Sequence, residues 1–358
     1  MTIYSITKTP SRDTSLDWVA GILVLVAIFL HIDEWDGASV GFWHKFGAVF
    51  GFFMPWFFFK SGMFYKEADL KKNDYKIWKS LGVPFLTFSL VSWIVWQATA
   101  IYVHGRSNPM FVVSYSFFNV LHYGLLPGNG ALYFIESLWI CRYIYPRLRR
   151  ILHNNYLIAV LSLVIAYAFK CLDNFLLHRY LLLIIPTGFM GMAYYAMGVQ
   201  WKEMQYRLPF FLVSAVIYVL AIIFHAQEIS FYVAGVNDSN EIWIVYPFIA
   251  VASIMVWNNM ARNIPAKILK RSIICYVGRN SMSYYCIHLI IIHLDFFFAS
   301  YFDVTLFSLP LFWAYIVSCA IFLPVADIIL RRYMPWAVGA KPRVRKGVEV
   351  GAASDPLP

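Results

Sequence analysis

The sequence predicts an all-α fold, a polytopic transmembrane helical bundle of about ten spans with both termini cytoplasmic. Three observations carry that expectation. The 358 residues are 61% hydrophobic and only 13% charged, whereas a soluble domain is about one quarter charged. Mean hydropathy is +0.63. Apolar runs long enough to cross a ~30 Å hydrocarbon layer recur along the chain, and basic residues collect in alternate links between them. The net charge of +10 is therefore read as positive-inside patterning. The expected surroundings are a lipid bilayer, with no nucleic acid among the partners.

The spans fall at about 16–33, 44–65, 80–102, 129–146, 154–170, 179–200, 208–226, 241–257, 273–295 and 308–331. With a cytoplasmic N-terminus, the inside links hold Lys66, Lys71, Lys72, Lys76 and Lys79; then Arg147, Arg149 and Arg150; then Lys202 and Arg207; then Arg262, Lys267, Lys270 and Arg271. The outside links are poor in Lys and Arg, as the charge rule requires. Two of them, 103–128 and 227–240, are long, aromatic and polar, and suit an extracytoplasmic substrate mouth. Residues 1–346 are expected to form one transmembrane domain and 347–358 a disordered tail. No cleavable signal peptide and no internal repeat are evident. The five cysteines are scattered through apolar runs, with neither disulfide nor metal spacing, so packing is their expected role.

Each polar residue inside a span then asks for a reason. In the first span, an apolar run leads from Asp17 to His31, roughly 21 Å of helix. A histidine at that depth is either an interfacial ring or a base whose tautomer a carboxylate sets, with Asp33 and Glu34 next to it. The second span carries Pro55, Lys60, Ser61 and Gly62. Lys60 either snorkels to the surface or is a fixed charge facing a buried site. The lysines of 66–84 suit a solvated loop or a phosphate-rich ligand. Glu136 lies among apolar residues of the fourth span, a functional candidate or the partner of a buried base. The ninth span starts with Arg279, Asn280, Ser281 and Ser283, a polar lining or network. His288 and His293 follow five residues apart, about 140° around a helix, which disfavours a zinc site; no metal is expected.

In order along the chain these residues resemble the membrane-bound acyltransferase-3 family, bacterial O-acyltransferases of surface polysaccharides and related glycans, including fucose 4-O-acetylase-like proteins. Arg12, Asp17, Gly21 and His31 match the family's opening. The run Met54–Gly62 is similar to its Pro-x-Phe-Phe-x-x-Ser-Gly segment, and Leu132–Ile135 to its Leu-Trp-Phe-Leu segment, with Tyr133 for Trp. Gly278, Ser281, Tyr285 and His288 resemble its last motif. The cytoplasmic Arg-x-x-Arg maps onto Lys76 and Lys79, which keeps charge and loses the bidentate fork. The basic residue that the family places eleven positions before the histidine is Ala20 here, with Lys60 or Arg12 as the candidate replacement.

The resemblance implies an O-acyltransferase of a bacterial inner membrane, acetyl-CoA as cytosolic donor, and a saccharide or lipid-linked glycan as acceptor. His31 is expected to act as general base, oriented by Asp17, Asp33 or Glu136. Arg12, Lys60, Ser61, Asn280, Ser281 and His288 are expected to line the substrate site, and Lys76 and Lys79 to meet CoA phosphates. The alternative is a saccharide or lipid transporter or flippase without acyl-transfer chemistry, in which Glu136, His288 and Lys60 form a relay.

Overall fold

Each predicted apolar run contains a helix among its described residues. The computed structural model describes residues 12–36, 46–47, 49–104, 109–172, 184–224, 240–302 and 309–340. The tail 347–358 and residues 227–239 of the 227–240 link lie outside them. In chain order the α-helices are α1 (Thr14–Asp36), α2 (Phe53–Met63), α3 (Leu70–Ile77), α4 (Val83–His104), α5 (Pro109–Tyr123), α6 (Tyr133–Leu152) and α7 (Asn155–Leu172). There follow α8 (Ile184–Trp201), α9 (Leu208–Ile223), α10 (Asn240–Arg262), α11 (Ala266–Arg271), α12 (Ile273–Arg279), α13 (Ser281–Tyr301) and α14 (Leu309–Tyr333). Among the described residues four stretches are long and apolar enough to cross a membrane: Thr14–Asp33, Leu70–Thr99, Ser281–Tyr301 and Pro310–Tyr333.

The burial pattern separates centre from rim. On α1 the residues Val19, Ala20, Leu23 and Ile32 are fully enclosed. On α14, Val317, Ile321, Val325 and Ile328 are exposed apolar side chains, the surface expected of a helix that faces lipid. α1 and α13 lie mostly inside the bundle, as does α8, against which α2, α6 and α7 pack.

Small residues let that axis close. A Cβ on Gly278 of α12 would overlap the Asp17 carbonyl of α1, and one on Gly21 would overlap the Ile274 carbonyl. Close backbone approach of this kind is how helices gain contact where burying apolar surface is no advantage. The Ser61-Gly62 motif has the same purpose: Gly62 lies against the Tyr195 backbone of α8, and Gly198 against that of Phe59.

The 103–128 link differs from expectation. It contains a helix, α5, whose middle docks on the middle of α4. Trp93 donates to the Ser116 hydroxyl at 2.9 Å, and the rings of Trp96 and Tyr115 stack at 5.4 Å. The chain therefore doubles back along α4 instead of looping through water. It turns at Gly128, where φ of +103° and contact with the Ser92 carbonyl leave room for no side chain. Asn129 then donates to the Ser92 hydroxyl at 3.1 Å and to the Cys286 carbonyl at 3.0 Å, tying this turn to α13. Irregular backbone at such depth is stable only because protein surrounds it.

Candidate active site

α1 and the α12–α13 pair run in the same direction with matched register. Gly21 meets Gly278, and ten residues further along each chain the rings of His31 and His288 face each other with centroids 5.2 Å apart and planes 31° apart. His288 is fully buried. Its Nδ1 lies 3.2 Å from the Tyr284 carbonyl. A carbonyl only accepts, so Nδ1 carries the proton and Nε2 is left as an acceptor. That Nε2 has no hydrogen-bond partner among the described residues. His31 is only partly buried and so can be approached. Tyr285 braces the pair: its ring is 5.6 Å from that of His288, and its hydroxyl donates to the Ala131 carbonyl at 2.7 Å. Phe134 packs on Tyr285 at 5.4 Å.

The acids expected to orient His31 are distributed differently. Asp17 stands fourteen residues back on the same unbroken helix, about 21 Å away. Arg12 holds it bidentately, at 2.6 and 2.8 Å, and Arg279 approaches to 3.8 Å. Asp17 is thus an ionic clasp between the start of α1 and the end of α12, and not the acid beside His31. Arg12 is committed to the same clasp. Glu136, in the first turn of α6, has both oxygens 3.0 Å from the point where a Gly124 side chain would begin, and its Oε2 lacks a partner. It makes no hydrogen bond or ion pair with either histidine. Asp33, two residues beyond His31, is buried and is the expected acid nearest to it in sequence.

The polar start of α13 also has another task. Asn280 and Ser281 lie eight and seven residues before His288, roughly 10–12 Å along the helix, so they do not line the histidine pair. Around them Arg331 pairs with the fully buried Asp327 at 2.7 Å and donates to Ser283 at 3.0 Å. The Tyr276 hydroxyl adds a 2.9 Å bond to Asp327. This network joins α12, α13 and α14 across the helix break at Asn280.

Lys60 reaches across to α1. Its Nζ lies 3.4 Å from the Leu16 carbonyl and 4.9 Å from the centre of the Trp56 ring. Leu16 is one turn before Ala20, so a positive charge does stand near the place that Ala20 leaves apolar. Trp56 is held by Asn258 at 2.8 Å, which in turn donates to Gln205 at 2.9 Å. Ser61 is partly buried beside the α2–α8 crossing. At this same end a cavity of about 370 Å³ opens between the start of α1, Lys202, Tyr206 and Arg262.

Lys76 and Lys79 are exposed on α3 and the π-helical turn Trp78–Gly82 that follows it. Arg147 of α6 clamps α3 through Asp74, at 2.7 and 3.2 Å, and Trp78 packs on Trp139 at 5.5 Å. The result is a fixed lysine-rich face at the Asp17 end of the bundle, remote from His31.

A family model described as an acyltransferase domain matches residues 13–331. The chain belongs to the acyltransferase-3 family. No curated protein and no solved structure matches it. The match runs from the Asp17 clasp through α14, so the histidine pair, Lys60 and the α3 lysines all belong to one acyltransferase domain. An acyltransferase brings an acyl donor and an acceptor together. The geometry offers two neighbouring imidazoles at one end and a basic face at the other.

Two features of this acyltransferase went unread in the sequence. Arg142 lies within the predicted span 129–146, where any charge is notable, and that was signal enough. Asn129 gave no such signal, because its importance comes from reaching Ser92 and Cys286, which only the folded chain brings together.

Proposed function

We propose that this acyltransferase moves an acetyl group from acetyl-CoA, bound at the lysine-rich face, to a hydroxyl of a saccharide or lipid-linked glycan at the His31 end. The setting is a bacterial inner membrane crossed about ten times, with the lysine-rich face and both termini in the cytoplasm. The observation that carries this reading is the His31–His288 contact: a partly accessible imidazole against a buried one, inside an apolar bundle.

In the proposed step His31 takes the proton of the acceptor hydroxyl as its oxygen attacks the thioester carbonyl. A carbon–oxygen bond forms, the carbon–sulfur bond breaks, and the CoA thiolate leaves with the proton that His31 returns. Next to it, His288 presents the unprotonated Nε2, which favours the hydroxyl proton moving toward the imidazole pair. Apolar neighbours such as Ile32 and Phe134 exclude water that would otherwise hydrolyse the thioester. Lys60 supplies the positive charge near α1 that the family's basic residue would give, and Lys76 and Lys79 attract the donor's phosphates as point charges. Glu136, the unpartnered carboxylate over the Gly124 turn, is proposed to hold acceptor hydroxyls, in place of a direct role on His31.

The test is purified protein in a bilayer mimetic, incubated with acetyl-CoA and a panel of saccharides. The reading requires free CoA and a singly acetylated saccharide, found by mass spectrometry. Transport of the saccharide with acetyl-CoA unconsumed would replace it with the transporter alternative.

A further inference from the structure

α9 packs along α10 and hardly touches α8, so a wedge opens between the three helices. It forms a groove of about 370 Å³, within the ~300–1,000 Å³ range of small-ligand sites. Its floor is Val251, Ala252 and Met255 of α10, all buried, and its lips are Val213 and Phe248, both largely exposed. Two of the lining side chains carry a polar hydrogen, and both are spent inside the protein. The Ser214 hydroxyl donates to the Met255 sulfur at 3.3 Å, and the Trp201 indole donates to the Tyr156 hydroxyl at 3.0 Å. The groove therefore has nothing to offer a polar ligand. It suits a hydrocarbon chain.

A chain seated there gains little from leaving its surroundings, because bilayer lipid is already apolar. It gains van der Waals contact on the groove walls, and the choice among lipids falls to the headgroup. One end of the groove reaches headgroup level: Trp201 and Tyr156 make the aromatic pair expected at the bilayer–water boundary. There the chain turns basic. Lys202 follows Trp201 directly and Arg207 stands two residues before Pro209, both exposed, with Glu203 the one acid of that link. We propose that the α8–α9–α10 groove binds an anionic phospholipid, with one acyl chain in the groove and the headgroup phosphate at Lys202 and Arg207. Positive side chains at a membrane surface attract anionic headgroups over neutral ones. The outward face of α9, with Val216, Val219 and Ile223 exposed, lies against ordinary lipid. The site requires no acyl-transfer chemistry, so it stands independently of the functional reading.

The experiment places the parent protein, V213W, V219W and K202Q/R207Q in nanodiscs holding equal phosphatidylglycerol and phosphatidylcholine. Each is then released into detergent and its retained lipid counted by native mass spectrometry. The parent should retain phosphatidylglycerol over phosphatidylcholine by about fivefold, the preference that one net positive charge supports. V213W fills the groove from its exposed lip and should lose the retained lipid, whereas V219W, on the outward face of α9, should keep it. K202Q/R207Q should retain the two lipids equally. If V213W fails to fold, the comparison of K202Q/R207Q with the parent decides the matter. Retention in V213W as in the parent, or an unchanged preference in K202Q/R207Q, would overturn the proposal. So would a parent that retains no lipid or both lipids equally. A dimer that V213W abolishes would also overturn it, by making the groove an interface between copies of this chain.

Discussion

His31 and His288 are brought face to face at 5.2 Å by a contact ten residues earlier, where Gly21 and Gly278 let two helix backbones touch. The site is therefore set by an interface between helices that are far apart in sequence. Its geometry depends on atoms that are missing from two side chains.

A first consequence concerns those glycines. G278A puts a methyl group into the Asp17 carbonyl, and neither backbone can move without parting α1 from α12. Overpacking of this kind costs about 1–3 kcal/mol. The expected outcome is a lower thermal midpoint in detergent, together with a loss of acyl transfer out of proportion to it, because the imidazoles separate. Parallel thermal scans and rate measurements on G21A and G278A check this.

His288 should matter less than His31 but in a recognisable way. It is a fixed acceptor beside the base, so H288A should lower kcat by about tenfold to a hundredfold with little change in the KM for acetyl-CoA. A large rise in that KM with kcat intact would place His288 in the donor site. Steady-state kinetics on folded variant protein separate the two outcomes.

Lys60 offers a charge test with the shape held constant. K60M keeps the side chain's length over Trp56 and removes the positive charge facing the Leu16 carbonyl. The expected outcome is transfer reduced about tenfold with the thermal midpoint little changed. K60R should recover part of the activity. Full activity in K60M would remove Lys60 from the site.

The Asp327–Arg331 pair predicts a stability effect without a direct catalytic one. D327A leaves the Arg331 guanidinium uncompensated and strips a bond from Tyr276, at a cost of about 3–5 kcal/mol. The double variant D327A/R331M should regain much of that loss, because it removes both charges. Denaturant unfolding of the two variants in the same detergent checks the difference.

How far the chain could be read beforehand follows from where its information lies. Apolar runs and basic links act locally, so each predicted span contains a helix among its described residues, and His31 stood out by depth alone. What could not be read was pairing between distant segments. Asp17 looked like a catalytic acid until Arg12 and Arg279 were seen to claim it. Asn280 and Ser281 looked like a lining until the break between α12 and α13 placed them roughly 10–12 Å along the helix from His288. The helix α5 was read as a loop because its aromatic and polar residues make an unremarkable profile. Only Trp93 and Trp96 of α4 explain where it docks.

The central claim is that His31 is the base of an acyl transfer. The most direct measurement is single-turnover transfer from acetyl-CoA by purified H31A whose thermal midpoint matches that of the parent protein. The account predicts a rate at least about a hundredfold lower with acetyl-CoA still bound; transfer by folded H31A at the parent rate would contradict it.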